Sequence, residues 1–488
     1  MSVDQTCPRR PSVGGSTDGE GNNESEENCS ILILSEEEIR QLDSLDEDLA
    51  EETKAGQADD VKPKIQKAPF RRRDDNNFNN YFEPKVISVG PCHHYNTELK
   101  TSEPIKRKLA ARFFKETGVN KEVLFLDIKE QIKDLRDCYD DKAKDYPDNK
   151  LAWIFLVDGC AILHFIFISA QPNSEIELRK LRIKADHVAL GHHDLFLLDN
   201  QLPYQLLQLI MRSTRKKEEF LHSIHDFIFD YIRAPGQKYV KHDKILKDNH
   251  FHLLDLMRKL LIQPHQNNKR LDCREAIIKF ITVNLFGDLE SNKKSEFWHS
   301  FRNIEELRSA GIKLKPSETS GVRDITFIWD TLTLPPIVVN DSTAAKFLNM
   351  AAYEMCPDFH NDFEVSSYIC FLDSLIDRAE DVKTLREKKI LHNALGSDEE
   401  VAKLFNEISR DLAPNKDKYY SEVKRNIQKY CNSIWMKWLS QFFQDLRDYF
   451  KRRWSLLAFI GAFLALASSI IQTVYTVLAY HVDSNKGN

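Results

Sequence analysis

Two pairs of adjacent histidines are the side chains in this sequence best suited to hold a metal ion: His93-His94 and His192-His193. Zinc is bound by imidazole nitrogens and by carboxylates, and Asp194 directly follows the second pair. Adjacent residues of an extended segment point to opposite sides, so one pair seldom supplies two ligands. We therefore expect structural histidines bonded to the backbone. The alternative is a metal-dependent enzyme in which the fold brings the two pairs together.

A second polar cluster, residues 199–203 with the sequence DNQLP, could form either a catalytic loop or the start of a helix. Asn200 can bond to the backbone, as it does in turns. Pro203 fixes the backbone angle that the first turn of a helix requires, so a helix is predicted over 204–211. We therefore interpret the cluster as structural and assign no catalytic residue to it.

Cys160, in the sequence Asp158-Gly159-Cys160, is the remaining candidate nucleophile. A reactive thiol needs a base and partial exposure, whereas Cys160 stands among apolar residues, so a buried thiol is expected. The sequence contains no phosphate-binding loop, nucleophile elbow, zinc-protease motif or kinase motif. We therefore predict no enzymatic activity, no cofactor and no metal.

Composition favours a globular protein that does not bind nucleic acid. Of the 488 residues, 42% are apolar and 30% are charged, with a net charge of −6, whereas nucleic-acid binders carry a basic excess. The nine cysteines include no C-x-x-C pair, which favours reduced thiols over a disulfide framework or a zinc cluster.

Residues 1–80 are predicted to be a disordered arm, because acidic side chains far outnumber basic ones and aromatic residues are few. An apolar run inside this arm, Ile31, Leu32, Ile33 and Leu34, precedes several glutamates. The run resembles a SUMO-interacting motif, which binds a protein partner by adding a strand to its sheet. The alternative is the plain start of a helix over 35–49.

Residues 81–450 are treated as one mainly α-helical domain with a minor β-hairpin. The apolar stretch 151–170 contains Asp158 and is predicted to be a buried helix, because a carboxylate at the centre of a bilayer costs about 2.5–3.5 kcal/mol. Strands are predicted at 86–89 and, as a hairpin, at 324–329 and 332–339, where two prolines would confine the second strand to a sheet edge.

Helix starts are predicted at two serines. Ser342 can cap a helix whose apolar positions recur with helical spacing, and Ser397 with Glu400 has the spacing of a capping box.

Residues 454–480 contain no charged side chain and are predicted to be a single transmembrane helix, since about 20 apolar residues cross a bilayer. Trp454 and Tyr480 suit the two interfaces. Gly461, Ala465 and Ser469 recur every four residues and would allow a second helix to approach closely, as in a homodimer. Small residues are also common where a helix faces lipid, so both interpretations of this stripe stay open.

The charges beside this segment predict its orientation. Lys451, Arg452 and Arg453 precede it, and only the short tail 481–488 follows it. The positive-inside rule therefore places the bulk of the chain in the cytoplasm, as in a tail-anchored protein. The plasma membrane and the endoplasmic reticulum are the favoured destinations.

A series of sequence blocks occurs in a fixed order along the chain: 87–94 (ISVGPCHH), 156–160 (LVDGC), 194–203 (DLFLLDNQLP), 251–256, 306–312, 335–337, 341–343, 368–374 and 395–401. With the C-terminal apolar helix, these blocks resemble the plant family catalogued as domain of unknown function 247, over roughly 82–480. Two positions depart from its pattern, since Cys92 replaces a more usual aromatic residue and Asp199 replaces a more usual glutamate.

This resemblance implies a membrane-anchored plant protein without an established enzyme activity, which would act by signalling or recognition through protein–protein binding. Some grass members of that family resemble pollen-side determinants of self-incompatibility. The resemblance extends the expectation to that role, which would require a polymorphic recognition surface.

Overall fold

Helices make up most of the described part of the chain. The structure is a computed structural model, and it describes residues 63–69, 80–140, 143, 145–237, 245–246, 248–263, 303–360, 362–410, 412, 414–415, 418–432 and 463–473. All of these residues lie in one compact unit that spans 62–488. The prediction of a mainly α-helical fold is confirmed.

The α-helices within the described ranges are α1 Glu103–Thr117, α2 Lys121–Glu130, α3 Ile132–Asp137, α4 Asp148–Ser169, α5 Ser174–Lys180, α6 Ala185–Asp194, α7 Tyr204–Arg212, α8 Lys217–Ile232, α9 Leu253–Leu261, α10 Ile304–Ser309, α11 Thr343–Glu354, α12 Glu364–Leu375, α13 Ala379–Glu387, α14 Asp398–Ile408, α15 Ser421–Asn432 and α16 Phe463–Thr473. A 3₁₀ turn, Glu98–Ser102, leads directly into α1.

Helix α4 is the central element of the N-terminal half. It is apolar on every side and packs against α1, α2, α7 and α8. Gly159 lets α7 approach, since a Cβ there would lie 2.4 Å from Ile210 Cδ1. Among the described residues this is the one helix long and apolar enough to cross a membrane, but 89% of its most apolar stretch is buried within the protein. The prediction of a buried domain helix is confirmed.

Within the described ranges, five short strands form two small sheets: β1 Lys313–Pro316, β2 Thr326–Ile328, β3 Thr331–Leu334, β4 Ile337–Val339 and β5 Leu391–Asn393. The predicted hairpin exists as the antiparallel pair β2–β3. The edge position predicted for its second strand is wrong, because β1 pairs in parallel with β3 and makes it central. The prolines end β3 instead, and β4 joins β5 in a separate parallel sheet.

Two further predictions need correction. Val86–Val89 is not a strand, since the chain bends at Val86 and the backbone bonds to side chains described below. Ile65, inside the arm predicted for 1–80, is buried and bridges to Tyr139, with its N–H donating to the Cys138 carbonyl at 2.8 Å. The packed region therefore extends to residues before 81.

Both predicted helix starts are observed, with different caps. Ser397 Oγ accepts from the Glu400 N–H at 3.2 Å, but the Glu400 carboxylate accepts from the Gly396 N–H, one residue earlier than a capping box requires. Ser342 stands at the N-cap of α11 without capping it. Its hydroxyl donates to Asn340 Oδ1 at 2.8 Å instead.

Candidate functional site

The segment Lys85–Gly90, which contains no helix or strand, is fixed by side chains from three helices and one loop. The chain bends at Lys85 and Val86, and it is buried from Ser88 to Gly90. The first of these side chains is Asp194, the last residue of α6, which is fully buried. Its carboxylate accepts hydrogen bonds from the backbone N–H groups of Lys85, Val86 and Ile87, at 2.9, 2.7 and 2.9 Å. Three charge-assisted bonds to one carboxylate hold this part of the backbone in a single conformation.

Asn200 holds the next part of the segment, from Ile87 to Val89. Its Oδ1 accepts from the Val89 N–H at 2.7 Å, and its Nδ2 donates to the Ile87 carbonyl at 3.1 Å and to the Asp194 carbonyl at 2.9 Å. This side-chain amide therefore takes the place of a neighbouring strand. The prediction that Asn200 bonds to the backbone is confirmed, and α7 begins directly after Pro203, as predicted.

Lys106 and Asp158 hold the end of the segment. Lys106 Nζ lies 2.7 Å from Asp158 Oδ1 and 2.6 Å from Glu103, and it donates to the Ser88 carbonyl at 2.9 Å. Asp158 Oδ2 accepts from the Gly90 N–H at 2.9 Å. Burial by itself would lower the pKa of Lys106, but the charge and hydrogen bond of Asp158, with those of Glu103, outweigh it and raise that pKa. The lysine is therefore charged inside the protein.

Gly90 is required where the segment turns. Its φ is +70°, and a Cβ would lie 2.8 Å from the Tyr139 hydroxyl and 2.9 Å from the Gln201 carbonyl oxygen. That hydroxyl donates to that carbonyl at 2.9 Å. The Gln201 side chain is also occupied, since its Nε2 donates to the carbonyls of Leu195 and Leu197. We call Lys106, Asp158, Asp194 and Asn200 the polar centre.

The polar centre holds backbone and does not present a reactive group. Each of its carboxylates accepts from N–H groups of the segment, and its lysine is neutralised by carboxylates. Cys160 lies two residues from Asp158 and is fully buried, and burial raises the pKa of its thiol. A thiol with a raised pKa supplies little thiolate, so the prediction that Cys160 is a buried thiol is confirmed.

The first histidine pair faces two different environments. His93 Nε2 lies 3.0 Å from Asp199 Oδ1. The His94 ring packs edge-on against Tyr95 and Tyr146, with ring centroids 5.6 and 6.3 Å apart.

The second pair diverges in the same way. His193 Nδ1 lies 3.0 Å from Asp194 Oδ1. His192 packs edge-on against Phe165, Phe227 and Tyr231. The prediction that these histidine side chains bond to the backbone is wrong. Their partners are carboxylates and aromatic rings. Within the described ranges, no group of three or more His, Cys, Asp and Glu side chains could hold a metal ion.

Replacing His192 by Phe should flatten the acid side of the stability profile. Burial lowers the pKa of this imidazole to about 4 in the folded protein. In the unfolded chain the imidazole binds its proton near pH 6.5. His192 therefore leaves the free energy of unfolding unaffected by pH above about pH 6.5. As the pH falls from there toward 4, that free energy declines by up to about 1.4 kcal/mol per pH unit. Phe fits the same aromatic surroundings without a titrating group.

Denaturant unfolding of both proteins at pH 7 and pH 5 measures this effect, because groups that titrate identically in the two proteins cancel in the difference. The H192F protein is expected to lose less stability between the two pH values. Equal losses would show that His192 accepts its proton in the folded state.

Helix α16 differs from the rest of the described chain in what it exposes. Its side chains Phe463, Leu464, Leu466, Ile470 and Ile471 are all more than half exposed. None of them belongs to the hydrophobic core cluster.

The small-residue stripe is described only in part. Ala465 and Ser469 are exposed on one face of α16, while Trp454, Gly461 and Tyr480 lie outside the described residues. Ile31–Leu34 lies outside them as well, so its role as a partner-binding motif stays a prediction.

Sequence reasoning missed the polar residues that tie distant elements together. Lys106 lies on the buried face of α1 with Leu109 and Phe113, and a lysine on an apolar helix face is the signal that could have revealed it. Arg258, buried in α9, likewise donates to Glu354 Oε1 at 2.8 Å and to the Asp362 carbonyl at 2.7 Å.

Comparison with known proteins gives one family and two curated relatives. The model of DUF247, described as "Plant protein of unknown function", matches residues 65–468. The UPF0481 protein At3g47200 of Arabidopsis thaliana is 26% identical over 423 residues, which cover 83% of this chain and 85% of that protein. The putative UPF0481 protein At3g02645 of the same plant is 21% identical over 467 residues, covering 79% and 85%. No solved structure matches the chain.

Proposed function

Because this chain belongs to the DUF247 family of plant proteins of unknown function, we propose a function from its own chemistry: it is a single-pass membrane protein whose helical domain binds other proteins and catalyses no reaction. The observation that carries this proposal is the contrast between its two apolar helices. Helix α4 is buried in the domain, whereas α16 exposes its large apolar side chains.

An exposed apolar helix is costly in water. Burying a Leu, Ile or Phe side chain is worth about 1.5–3 kcal/mol relative to leaving it exposed. A bilayer removes this cost for every side chain around the helix, which a groove on one protein face cannot do. The segment 454–480, free of charged side chains, is long enough to cross a bilayer.

The charge pattern beside the apolar segment supports a cytoplasmic domain. Lys451, Arg452 and Arg453 precede the apolar segment, and positive residues favour the cytoplasmic side. The domain would then face cytosolic partners, at the plasma membrane or the endoplasmic reticulum.

Binding is favoured over catalysis because the side chains of the polar centre are all bonded to the backbone or to each other. Large aromatic side chains, in contrast, lie at the surface. Tyr95 is 62% exposed and Trp153 is 50% exposed. Lys150, one helical turn before Trp153, lies with its Nζ 4.3 Å from the centroid of the Tyr95 ring. Tyr and Trp dominate the binding energy of protein interfaces, so this surface is the first place to look for a partner.

Two arginines in α16 should release the protein from membranes. Each arginine at the centre of a spanning helix costs about 2.5–3.5 kcal/mol, so L466R/I470R should shift most of the full chain from the floating to the soluble fraction of a vesicle flotation assay. The matched control is I176R, since Ile176 on α5 is 59% exposed and Ile470 is 58% exposed. The control should float like the wild type, and flotation of L466R/I470R at the wild-type level would argue against this anchor.

A more specific proposal is that the protein acts as a pollen-side determinant of self-incompatibility. This role is supported only by the resemblance to some grass members of the family. It requires expression restricted to pollen and allelic variation concentrated on exposed residues such as Tyr95 and Trp153. Uniform expression across tissues would remove it without affecting the membrane anchor.

A further inference from the structure

Tyr95 differs in its exposure from every other tyrosine that the structure describes. It is 62% exposed, whereas the others are buried or partly buried. It lies in the turn that follows Gly90, where the Asn96 N–H donates to the His93 carbonyl at 3.0 Å and the chain forms neither helix nor strand. Connecting segments of this kind run over the surface of a protein, so a modifying enzyme can reach them.

Tyr146 packs against Tyr95 and provides a direct contrast with it. The two rings are stacked, with centroids 5.3 Å apart and planes at 15°. Tyr146 is buried, and its hydroxyl donates to the Pro91 carbonyl at 2.9 Å. The stack therefore supports the Tyr95 ring from one side and leaves the rest of that side chain at the surface.

A lysine without a carboxylate partner holds the Tyr95 hydroxyl. Lys150 Nζ donates to this hydroxyl oxygen at 2.5 Å, and no ion pair among the described residues includes Lys150. Of the two exposed aspartates nearby, Asp148 is paired with Arg136, with Oδ1 and Nη2 2.6 Å apart, and Asp145 bonds to neither Lys150 nor Tyr95. Lys150 can therefore pair with an anionic group placed on the Tyr95 oxygen.

We propose that Tyr95 is a phosphorylation site and that Lys150 pairs with the phosphate. A tyrosine kinase transfers the γ-phosphoryl group of a nucleoside triphosphate: the Tyr95 oxygen bonds to the phosphorus, and the bond from phosphorus to the bridging oxygen breaks. The nucleoside diphosphate leaves, and the hydroxyl proton passes to the kinase. The product carries about 1.5–2 negative charges at pH 7, and an ammonium group beside it forms charge-assisted hydrogen bonds.

The phosphate would regulate the surface on which Tyr95 lies. A phosphate inside an apolar contact disrupts that contact, because its charge must be stripped of water. A partner that packs apolar side chains on Tyr95 is therefore released when the phosphate is present. This regulation rests on the proposed binding function, whereas the modification itself does not.

Phosphorylation of the purified full chain tests the site. The folded protein is incubated with ATP, Mg²⁺ and the catalytic domain of a broad-specificity tyrosine kinase, and phosphopeptides are quantified over time by mass spectrometry. Tyr95 should be modified several-fold faster than Tyr146 and every other tyrosine of the described ranges. Heat denaturation before the reaction should shrink this preference. A rate at Tyr95 no higher than the rate at the buried Tyr146 would overturn the site.

Phosphorus NMR of the phosphorylated chain tests the role of Lys150. A neighbouring ammonium favours the dianion, so the second pKa of the phosphate should be lower in the wild type than in K150Q, by about 0.7 pH units at low salt. The matched control is K108Q, since Lys108 is exposed on α1, and it should keep the wild-type value. Unchanged thermal unfolding of K150Q is the check on folding. Equal pKa values in the wild type and K150Q would refute the pairing.

The proposed function is judged by different measurements. Neither experiment on Tyr95 requires a binding partner or a membrane, so the site stands even if the chain does not float with vesicles. A chain that floats but is not modified selectively at Tyr95 refutes the phosphorylation site alone.

Discussion

Replacing Lys106 by Met should lower the free energy of unfolding by about 3–5 kcal/mol, because it leaves Asp158 as an uncompensated buried charge. Lys106 is completely buried, 2.7 Å from the Asp158 carboxylate, and Met has a similar length without the charge. The Ser88 carbonyl also loses its donor. Chemical denaturation with circular dichroism measures the change.

A second substitution separates charge burial from lost packing. In K106M/D158N the buried charge of Asp158 is gone, and the asparagine oxygen still accepts from the Gly90 N–H. The double variant should therefore be more stable than K106M alone. K108M is the surface control, because Lys108 is exposed on the same helix and should change stability by no more than about 0.5 kcal/mol. If K106M behaves like K108M, the buried pair does not stabilise the fold.

Replacing Gly90 by Ala should lower the free energy of unfolding by about 2–4 kcal/mol, since it adds backbone strain to overpacking. The φ of +70° disfavours any residue with a Cβ, and the new methyl group would meet the Gln201 carbonyl oxygen at 2.9 Å. A backbone oxygen cannot move aside as the end of a flexible side chain can. The measurement is again the denaturation midpoint and slope.

Gly118 provides the matched control for this prediction. Its φ is also +70°, but a Cβ there would meet nothing within 4 Å. G118A should therefore cost about 1–2 kcal/mol, from backbone strain alone. The difference between the two variants isolates the contact with Gln201 and Tyr139. Equal losses would mean that the segment Lys85–Gly90 shifts to accommodate the methyl group.

Features encoded by neighbouring residues could be predicted from the sequence. The helix after Pro203, the bond from Asn200 to the Asp194 carbonyl and the burial of α4 all depend on residues close together along the chain, and all three are observed. The apolar pattern of a core helix and the turn chemistry of Asn and Pro act locally, so the sequence displays them directly.

Features that depend on distant pairing could not be predicted in the same way. The strand Ile337–Val339 pairs with Leu391–Asn393, more than fifty residues later, and the strand Lys313–Pro316 pairs in parallel with Thr331–Leu334. Parallel pairing leaves no turn signal between the strands, and each strand is too short for a clear alternation. The sequence therefore predicts an edge position for the second strand of the hairpin, whereas the structure makes it central.

The candidate site also combines local features, which the sequence displays, with distant contacts, which it does not. Two sequence blocks that contribute to it, 87–94 and 194–203, were recognised separately. That the second block holds the first through Asp194 and Asn200 depends on the tertiary fold, as does the position of Lys106 beside Asp158. The partner of His93 could not be predicted for the same reason, since Asp199 lies 106 residues beyond it.

During synthesis, the segment Lys85–Gly90 emerges long before the residues that hold it. Ile87 leaves the ribosome 113 residues before Asn200, its partner. At about 5–20 residues per second, the segment spends roughly 6–23 seconds without the groups that fix it. Its N–H groups and apolar side chains are then open to chaperones and to other nascent chains.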